Sequence, residues 1–331
     1  MCREVVLYFR DFSTNVKIGA QGCRFKGGAK LLDRSGQNLT SLLALTILSH
    51  ATGLIVMTGM NLADKIAIVT GASRGLGKSM ALALAKAGAR IVATSPQADS
   101  LEAVANEIRR LHGADRCIAI VGDITKPDDC ERLLAGSIAA FGGVDVLVNN
   151  ARRLQRGPDV PKGAFSQTFW NSDPQIWSEA VEVNINGMFT LTRVIAPHMI
   201  ARGGGRIVNI TTSIDTMQRK QNSPYGVTKA AIDAATLIWS QDLAGTGVTC
   251  NALLPGGRVV AGDDPFNSKP VRPGGDLPVE SMDRMVVWLA SDLSEGVTGQ
   301  RYVGKLWNDA LPPSEAAALC REPPVLLAPA A

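Results

Sequence analysis

The chain has few of the residues that metal centres and covalent hydrolases use. Only three histidines, His50, His112 and His198, occur in 331 residues, and none has a partner at metal-ligand spacing. The six cysteines form no Cys-x-x-Cys pair, and several lie inside apolar runs. A zinc site and a histidine-based hydrolase triad are therefore poorly supported. Scattered thiols of this kind are typical of buried free cysteines in a reducing compartment, so we expect a cytoplasmic protein.

The chain also lacks an excess of one charge outside its first segment. The formal net charge is +4, and residues 1–59 supply all of it, with seven basic residues against three acidic ones. The remainder is neutral and offers no concentrated basic face, so we expect no nucleic-acid partner. The first segment contains an apolar stretch over residues 42–57, which is interrupted by Ser49, His50 and Gly53. That stretch is short and impure for a membrane-spanning helix, and we expect no stable membrane insertion.

Three segments follow from this composition. Residues 1–59 are an N-terminal extension that is either disordered, a presequence, a membrane anchor or translated sequence upstream of the true start. We favour the last interpretation, because Met57 and Met60 each stand just ahead of the first predicted strand. Residues 60–310 are predicted to form the catalytic domain. Residues 311–331 are rich in Pro and Ala, and we expect a peripheral or partly disordered tail.

What the domain does contain is a regular alternation of short β-branched runs with amphipathic helical stretches. Strands are predicted over 66–70, 90–93, 117–121, 144–148, 206–210, 248–254 and 301–303. Helices are predicted over 78–87, 101–111, 128–140, 175–201 and 225–243. This α/β pattern indicates a single doubly wound parallel sheet, Rossmann-like and of about seven strands, with helices on both faces.

A glycine-rich turn joins the first strand to the first helix. Its residues are Thr70, Gly71, Ala72, Ser73, Arg74, Gly75, Leu76 and Gly77. Glycines permit a tight turn and a close approach of the backbone, while the helix N-terminus favours an anion. Between a strand and a helix, this turn predicts binding of a dinucleotide pyrophosphate.

The residues after the second strand indicate which dinucleotide. That strand ends at Thr94 or Ser95, where a carboxylate would bind the ribose hydroxyls of NAD and repel a 2′-phosphate. Arg74 in the turn can pair with that phosphate through its planar guanidinium. We therefore favour NADP(H), with NAD(H) as the alternative.

Two further strand ends contribute polar residues to the same edge of the sheet. Asp123 and Ile124 follow the third strand, and the Asp123 carboxylate either accepts a hydrogen bond from the adenine amino group or caps the next helix. Asn150 and Ala151 follow the fourth strand, where they either border the adenosine pocket and brace the sheet edge or form a plain turn.

A phenol and an amine stand four residues apart in a predicted helix, in the sequence Tyr225-Gly226-Val227-Thr228-Lys229. That spacing places both side chains on one helix face. A nearby ammonium favours ionisation of a phenol, which suits acid/base chemistry near neutral pH. Alone, the same spacing also fits a solvated tyrosine beside a surface lysine.

Taken together, these motifs resemble the short-chain dehydrogenase/reductase family, in its short single-domain branch, over residues 62–304. The resemblance rests on the order of the motifs along the chain: TGASRGLG, Asp123, NNA at 149–151, Asn184, a Ser/Thr cluster, YGVTK, Asn251 and Pro255-Gly256. It implies hydride transfer between a nicotinamide and a carbonyl or alcohol carbon.

By this resemblance Tyr225 is the general acid/base, and Lys229 holds the nicotinamide ribose and favours the phenolate. The Asn184 backbone is expected to help hold a water, unless its amide only satisfies local backbone. Either Thr212 or Ser213 orients the substrate, and we favour Ser213. Pro255 and Gly256 are expected at the cofactor. The resemblance also implies a homodimer or homotetramer through the two long helices. The rival is a catalytically silent nucleotide-binding scaffold or sensor.

The chain departs from the family pattern at three places. Arg152 replaces the glycine of the NNAG motif, Gly257-Arg258-Val259-Val260 replaces the usual carboxamide-binding threonine, and Gly304-Lys305-Leu306-Trp307 replaces a terminal Gly-Gly pair. Two Gly/Pro-rich segments, 152–173 with Phe165 and 258–277, are expected to shape the substrate pocket. Trp170 and Trp177 are expected to be core or interface anchors.

Overall fold

The computed structural model describes residues 16–19, 22–25, 60–63, 65–153, 168–260 and 275–323. The chain divides into two compact units, Met1–Thr58 and Gly59–Ala331. In the first unit, strands β1 (Val16–Gly19) and β2 (Gly22–Phe25) pair as an antiparallel hairpin. The interpretation of residues 1–59 as translated sequence upstream of the true start stays a prediction.

The second unit is built on an eight-stranded sheet. Its strands are β3 (Ile66–Thr70), β4 (Arg90–Ser95), β5 (Cys117–Val121), β6 (Val146–Asn149), β7 (Gly205–Ile210), β8 (Val248–Leu254), β9 (Arg301–Val303) and β10 (Arg321–Glu322). They lie in the order β10-β9-β8-β7-β6-β3-β4-β5, and only β10 is antiparallel to its neighbour. The predicted doubly wound parallel sheet is confirmed, and β10 is an added strand.

Helices cover both faces of the sheet. They are α1 (Gly75–Lys86), α2 (Ala98–His112), α3 (Pro127–Phe141), α4 (Pro174–Val181), α5 (Met188–Ala201), α6 (Ile214–Met217), α7 (Tyr225–Asp242), α8 (Asp283–Ala290) and α9 (Pro313–Cys320). Helix α1 packs against α2 and α8, and α3 packs against α5. Among the described residues, no helix has the length and apolar character needed to cross a bilayer.

The central strands are apolar on both faces because helices bury both faces. Strands β3, β6 and β8 are buried along their whole length. One core cluster brings Ile68 and Leu147 of the sheet together with Leu191 and Ile195 of α5. Continuous burial of this kind explains why these strands show unbroken hydrophobic runs rather than alternation.

The prediction of one helix over 175–201 is wrong in its interior. Helix α4 ends at Val181, a π-helical segment runs over Glu182–Gly187, and α5 follows. A Cβ on Gly187 would lie 2.8 Å from the Ile124 side chain, so glycine permits the close approach of this segment to the strand edge. π-Helical turns inside longer helices are frequent at functional sites, and this one contains Asn184.

Residues 313–322 of the expected tail form two elements, and disorder in the tail stays a prediction. Helix α9 begins at Pro313 and buries Ala316, Ala317 and Cys320, and β10 then pairs with β9. Residues 313–322 thus pack onto the domain, because the small side chains of α9 fit closely against it. Residues 324–331 lie outside the described part of the chain.

Two other expectations concern the long loops. Trp170 is 69% exposed and Trp177 is 39% exposed, so neither is a core residue, and the interface interpretation stays a prediction. Phe165 and most of the two predicted pocket segments, residues 154–167 and 261–274, lie outside the described residues.

Candidate active site

The glycine-rich turn lies at the point where the strand order reverses, between β3 and β6. Thr70 Oγ1 accepts hydrogen bonds from the backbone N–H groups of Asn150 and Ala151, both at 2.9 Å. The Asn150 side chain donates to the Thr70 carbonyl at 2.8 Å. Asn150 therefore braces two strand ends at the sheet edge where ligands of this architecture bind.

Helix α1 approaches the turn closely because two positions lack a side chain. Gly71 has a φ of +63°, which only glycine adopts without strain. A Cβ on Gly77 would lie 2.2 Å from the Gly71 carbonyl oxygen and 2.5 Å from Asn150 Nδ2. The helix N-terminus, with its unpaired N–H groups, is thus packed directly against the turn.

A cleft of about 340 Å³ opens at this edge. It is lined by Gly71, Ser73, Arg74, Gly75, Leu76, Gly77, Thr94, Ser95, Pro96, Gln97, Gly122, Asp123, Ile124, Asn150, Ala151, Arg152, Arg153, Val183 and Val259. Most of the predicted cofactor residues therefore share one cavity. Thr70, Tyr225, Lys229, Pro255 and Gly256 are predicted cofactor residues outside its lining.

The β4 end of the cleft presents hydroxyl groups and one arginine. Thr94 Oγ1 is buried and has no hydrogen-bond partner within the described residues. Ser95 Oγ donates to Gln97 Oε1 at 2.5 Å and lies 3.1 Å from Ser73 Oγ. Arg74 is exposed, and no described residue forms a hydrogen bond or ion pair with its guanidinium. Strand β4, whose residues are Arg90–Ser95, carries no carboxylate at this end of the cleft.

Asp123 holds a tight turn before α3. Its Oδ1 accepts hydrogen bonds from the backbone N–H and the hydroxyl of Thr125, at 3.0 and 2.8 Å. The residue at the N-cap position of α3 is Lys126, so Asp123 is not that cap. Within the described ranges Asp123 Oδ2 has no partner, and the predicted contact with adenine stays a prediction.

Tyr225 and Lys229 begin α7 and lie one turn apart on the same face. Lys229 Nζ is 5.9 Å from the centre of the Tyr225 ring and donates to the Ile210 carbonyl at 2.7 Å. Only 2% of Lys229 is exposed. The pKa of Lys229 is lowered to about 7, mainly by burial and also by the Arg152 charge, while Asp233 acts in the opposite direction. The buried amine is therefore poised to change protonation near neutral pH.

The Asn184 side chain joins three parts of the site. Its Oδ1 accepts from the backbone N–H of Arg153 at 2.7 Å, and its Nδ2 donates to Thr228 Oγ1 at 3.1 Å. Thr228 Oγ1 in turn donates to the Tyr225 carbonyl at 2.9 Å. The amide thus satisfies local backbone and links the π-helical segment to α7. Water binding by the Asn184 backbone stays a prediction.

The two candidate substrate hydroxyls differ in their surroundings. Ser213 caps the short helix α6, accepting from the Thr216 N–H at 3.4 Å, and its Oγ lies 2.9 Å from Thr216 Oγ1. The Thr212 hydroxyl has no hydrogen bond to any described residue, whereas its carbonyl accepts from Arg301 Nη2. Ser213 is held in place, and Thr212 Oγ1 is unpartnered.

Arg152 contacts the predicted general acid, which the sequence did not indicate. Its Nη1 donates to Tyr225 Oη at 3.4 Å, and the guanidinium lines the cleft. Neighbouring Arg153 instead forms an ion pair with Glu179 at 3.0 Å. The sequence feature that could have indicated this contact is Arg152 itself, which replaces the glycine of the NNAG motif. A long cation at that strand end must occupy or border the cleft.

A buried charge cluster below the site was also missed. Arg301 is 1% exposed, and its Nε lies 3.3 Å from both Asp233 Oδ2 and Glu322 Oε2. These are ion-pair contacts without hydrogen-bond geometry. Burial raises the pKa of Asp233, and Arg301 opposes that rise. The available signal was Asp233 itself, a carboxylate one turn after Lys229 on the buried helix face.

The chain beyond β8 turns sharply at the predicted cofactor residues Pro255 and Gly256. Gly256 has a φ of +89°, and the Pro255 carbonyl accepts from the Lys305 N–H at 3.2 Å. Arg258 forms a two-bond ion pair with Asp276. Val259 lines the cleft in the region where the family threonine is absent.

Comparison with known proteins agrees with this geometry. Residues 65–268 match the family model of short chain dehydrogenases. The chain belongs to the short-chain dehydrogenase/reductase family. This confirms the resemblance stated from the motifs. One relative is the 3-oxoacyl-[acyl-carrier-protein] reductase FabG of Staphylococcus epidermidis, 31% identical over 248 residues, which cover 72% of this chain and 96% of that one.

Solved structures of this dehydrogenase/reductase family share its fold. The 3-ketoacyl-(acyl-carrier-protein) reductase from Brucella melitensis complexed with NADH has a TM-score of 0.63 at 26% identity, with 72% of this chain and 95% of that chain covered. The L-sorbose reductase from Gluconobacter frateurii, complexed with NADPH and L-sorbose, has a TM-score of 0.63 at 25% identity, with coverage of 74% and 96%.

Proposed function

We propose that this short-chain dehydrogenase/reductase transfers a hydride between NADP(H) and a carbonyl/alcohol substrate, with Tyr225 as the general acid/base. The observation that carries the proposal is the position of the Tyr225 hydroxyl. It is bonded to Arg152, which lines the cleft that also contains the glycine-rich turn. A proton donor thus stands beside a cavity suited to a dinucleotide.

NADP(H), when bound, supplies or accepts the hydride. In reduction the Tyr225 hydroxyl gives its proton to the carbonyl oxygen, and in oxidation the phenolate takes the proton back. Lys229 Nζ lies under the Tyr225 ring and holds part of its charge near neutral pH, so it stabilises the negative charge left on the phenol. A hydroxyl of Ser213 or Thr212 orients the substrate oxygen.

The cofactor preference follows from this chain's own residues. The structures named above contain NADH in one relative and NADPH in the other, so family membership does not decide it. In this chain the exposed Arg74 lines the same cleft as Ser95 and Thr94, whose hydroxyl has no partner among the described residues. A free guanidinium without a neighbouring carboxylate on β4 favours the 2′-phosphate of NADP(H).

The proposed setting is a cytoplasmic homodimer or homotetramer. Four cysteines of the described residues, Cys117, Cys130, Cys250 and Cys320, are buried and free, as a reducing compartment allows. The side chains of Phe189 on α5 and of Val227 and Ile238 on α7 are 49–54% exposed. Exposed apolar side chains on the two helices expected at the interface support self-association, which light scattering on the purified chain would measure.

The test is hydride transfer to a panel of aldehydes and ketones, followed by the absorbance of the reduced nicotinamide, with cofactor affinity measured in parallel by fluorescence. We expect turnover with NADPH, and a loss of about 10²- to 10⁴-fold in kcat for Tyr225→Phe at an unchanged cofactor Kd. Tight cofactor binding without turnover of any carbonyl would instead support the silent scaffold.

A further inference from the structure

The Arg152 guanidinium is an unassigned charge at the reacting end of the cleft. Within the described residues its side chain makes one hydrogen bond, from Nη1 to Tyr225 Oη at 3.4 Å, and no ion pair. The next residue, Arg153, lines the same cleft but is neutralised by Glu179. The bond to the neutral Tyr225 phenol uses only one N–H donor of the Arg152 guanidinium. A guanidinium can bind two oxygens of an anion at once through two parallel hydrogen bonds.

The distance from Arg152 to the Tyr225 hydroxyl indicates which part of the substrate would carry such an anion. An oxygen that accepts the Tyr225 proton lies about 2.8 Å from Tyr225 Oη, and Arg152 Nη1 lies 3.4 Å from the same atom. The guanidinium is therefore a neighbour of the reacting oxygen. In a 2-oxo acid the carboxylate is attached directly to the reacting carbonyl carbon, so it comes within reach of the remaining N–H donors.

We infer that Arg152 binds a substrate carboxylate and makes this enzyme selective for the 2-oxo acid/2-hydroxy acid pair. The inference rests on the function proposed above and names its substrate class. In reduction the carbonyl carbon gains a hydride from the nicotinamide and the carbonyl oxygen gains the Tyr225 proton. One 2-oxo acid, one NADPH and one proton thus give one 2-hydroxy acid and one NADP⁺, and solvent returns the proton to Tyr225.

Charge in the cleft supports this assignment over a contact with the cofactor. The glycine-rich turn and the N-terminus of α1 already offer donors to a pyrophosphate, and Arg74, which has no bonded partner among the described residues, lines the same cleft. Arg152 is instead bonded to the Tyr225 hydroxyl. Its positive charge also lowers the pKa of buried Lys229, which is a cost that a bound carboxylate would relieve by pairing with the guanidinium.

The experiment compares a series of 2-oxo acids of increasing chain length, each paired with its methyl ester, as substrates of the full chain with NADPH. We expect the wild type to favour the acids in kcat/KM by about 10- to 100-fold, the range for a hydrogen bond to a charged group. Arg152→Gln should remove that preference by lowering kcat/KM for the acids. Arg152→Lys keeps the charge without the fork and should retain part of it.

The matched control is Arg153→Gln, which replaces the neighbouring cleft arginine that is paired with Glu179 and should leave the acid-to-ester ratio unchanged. Equal losses on acids and esters in Arg152→Gln, or a wild type that does not prefer acids, would overturn the inference while the proposed function stands. A changed cofactor Kd with an unchanged ratio would overturn it too, because Arg152 would then bind the cofactor.

A binding measurement separates failure of the inference from failure of the proposed function. Oxamate resembles a 2-oxo acid but accepts no hydride, so its affinity in the presence of NADPH can be measured by titration calorimetry without turnover. Weaker oxamate binding in Arg152→Gln but not in Arg153→Gln supports carboxylate recognition even if no substrate is turned over. Equal oxamate affinity in all three proteins overturns it.

Discussion

Replacing Lys229 with methionine should change how the folding stability of the domain depends on pH. Lys229 is 2% exposed, and its pKa falls from the ordinary 10.5 to about 7. In the unfolded chain the amine stays protonated up to its ordinary pKa. Between these two values the unfolded state therefore binds more protons than the folded state, and stability rises with pH.

The magnitude follows from the size of the shift. A full unit of pH in that window is worth about 1.4 kcal/mol, and the whole shift about 5 kcal/mol. From pH 7 to pH 8.5 the Lys229 contribution should rise by about 2 kcal/mol, because the folded-state amine is only half deprotonated at the lower limit. For a domain of this size that corresponds to about 4–8 °C in Tm.

The measurement is the free energy of urea unfolding of the cofactor-free chain at pH 7.0, 7.5, 8.0 and 8.5, in wild type and Lys229→Met. The difference between the two proteins should grow by about 2 kcal/mol across this range, in favour of wild type. Thiols such as Cys117 and Cys250, whose pKa is raised to about 12 by burial, oppose the rise in both proteins and cancel in the difference.

Exposed Lys220 provides the control, since Lys220→Met should show the wild-type pH dependence. A difference between wild type and Lys229→Met that stays flat from pH 7 to 8.5 would refute the reasoning. It would mean that the amine keeps its charge in the folded state, held by a carbonyl such as that of Ile210 more strongly than burial disfavours it.

Three further predictions concern the cleft and its hydroxyls. Arg74→Gln should raise the Kd for NADPH about tenfold or more and leave the Kd for NADH within about twofold; equal changes for both cofactors would contradict a contact with the 2′-phosphate. Ser213→Ala should lower kcat more than Thr212→Ala does, because the helix cap holds Ser213 Oγ in one place. The loss of that cap should also reduce the folding stability by about 1 kcal/mol. The opposite order of kcat values would assign substrate orientation to Thr212. Gly77→Ala should destabilise the domain by about 1–3 kcal/mol and weaken cofactor binding, since its Cβ would lie 2.2 Å from the Gly71 carbonyl oxygen. Gly204→Ala is the control and should be tolerated, because its Cβ would make an ordinary contact at 3.5 Å. Equal effects of the two variants would argue against close packing at the turn.

The sheet and most element positions were predictable from the sequence because they depend on local periodicity. Continuous β-branched runs predicted the parallel strands, and the observed strand bounds differ from the predicted ones by at most two residues. Helix starts were less accurate. Helix α1 begins at Gly75 rather than residue 78, because glycines of the turn also form the first helical turn.

The errors lie where tertiary packing overrides local pattern. The π-helical segment at Glu182–Gly187 inserts into a stretch whose apolar period is that of an ordinary helix. The sequence also did not indicate that Arg321 and Glu322 would pair with the edge of β9 and bring a carboxylate to buried Arg301. Neither an available edge nor a buried charge can be recognised from the sequence of the segment that meets it.

By itself, the sequence determined the doubly wound sheet, the glycine-rich turn, and the pair of Tyr225 and Lys229 on one helix face, because each depends on spacing within a single element or on the order of elements. Only the tertiary structure decided that Arg152, 73 residues before Tyr225, donates to its hydroxyl, and that Asp233, Arg301 and Glu322 meet in one buried cluster. Contacts of this kind depend on how strand ends and helix faces from distant parts of the chain come together, and spacing along the chain carries no record of that arrangement.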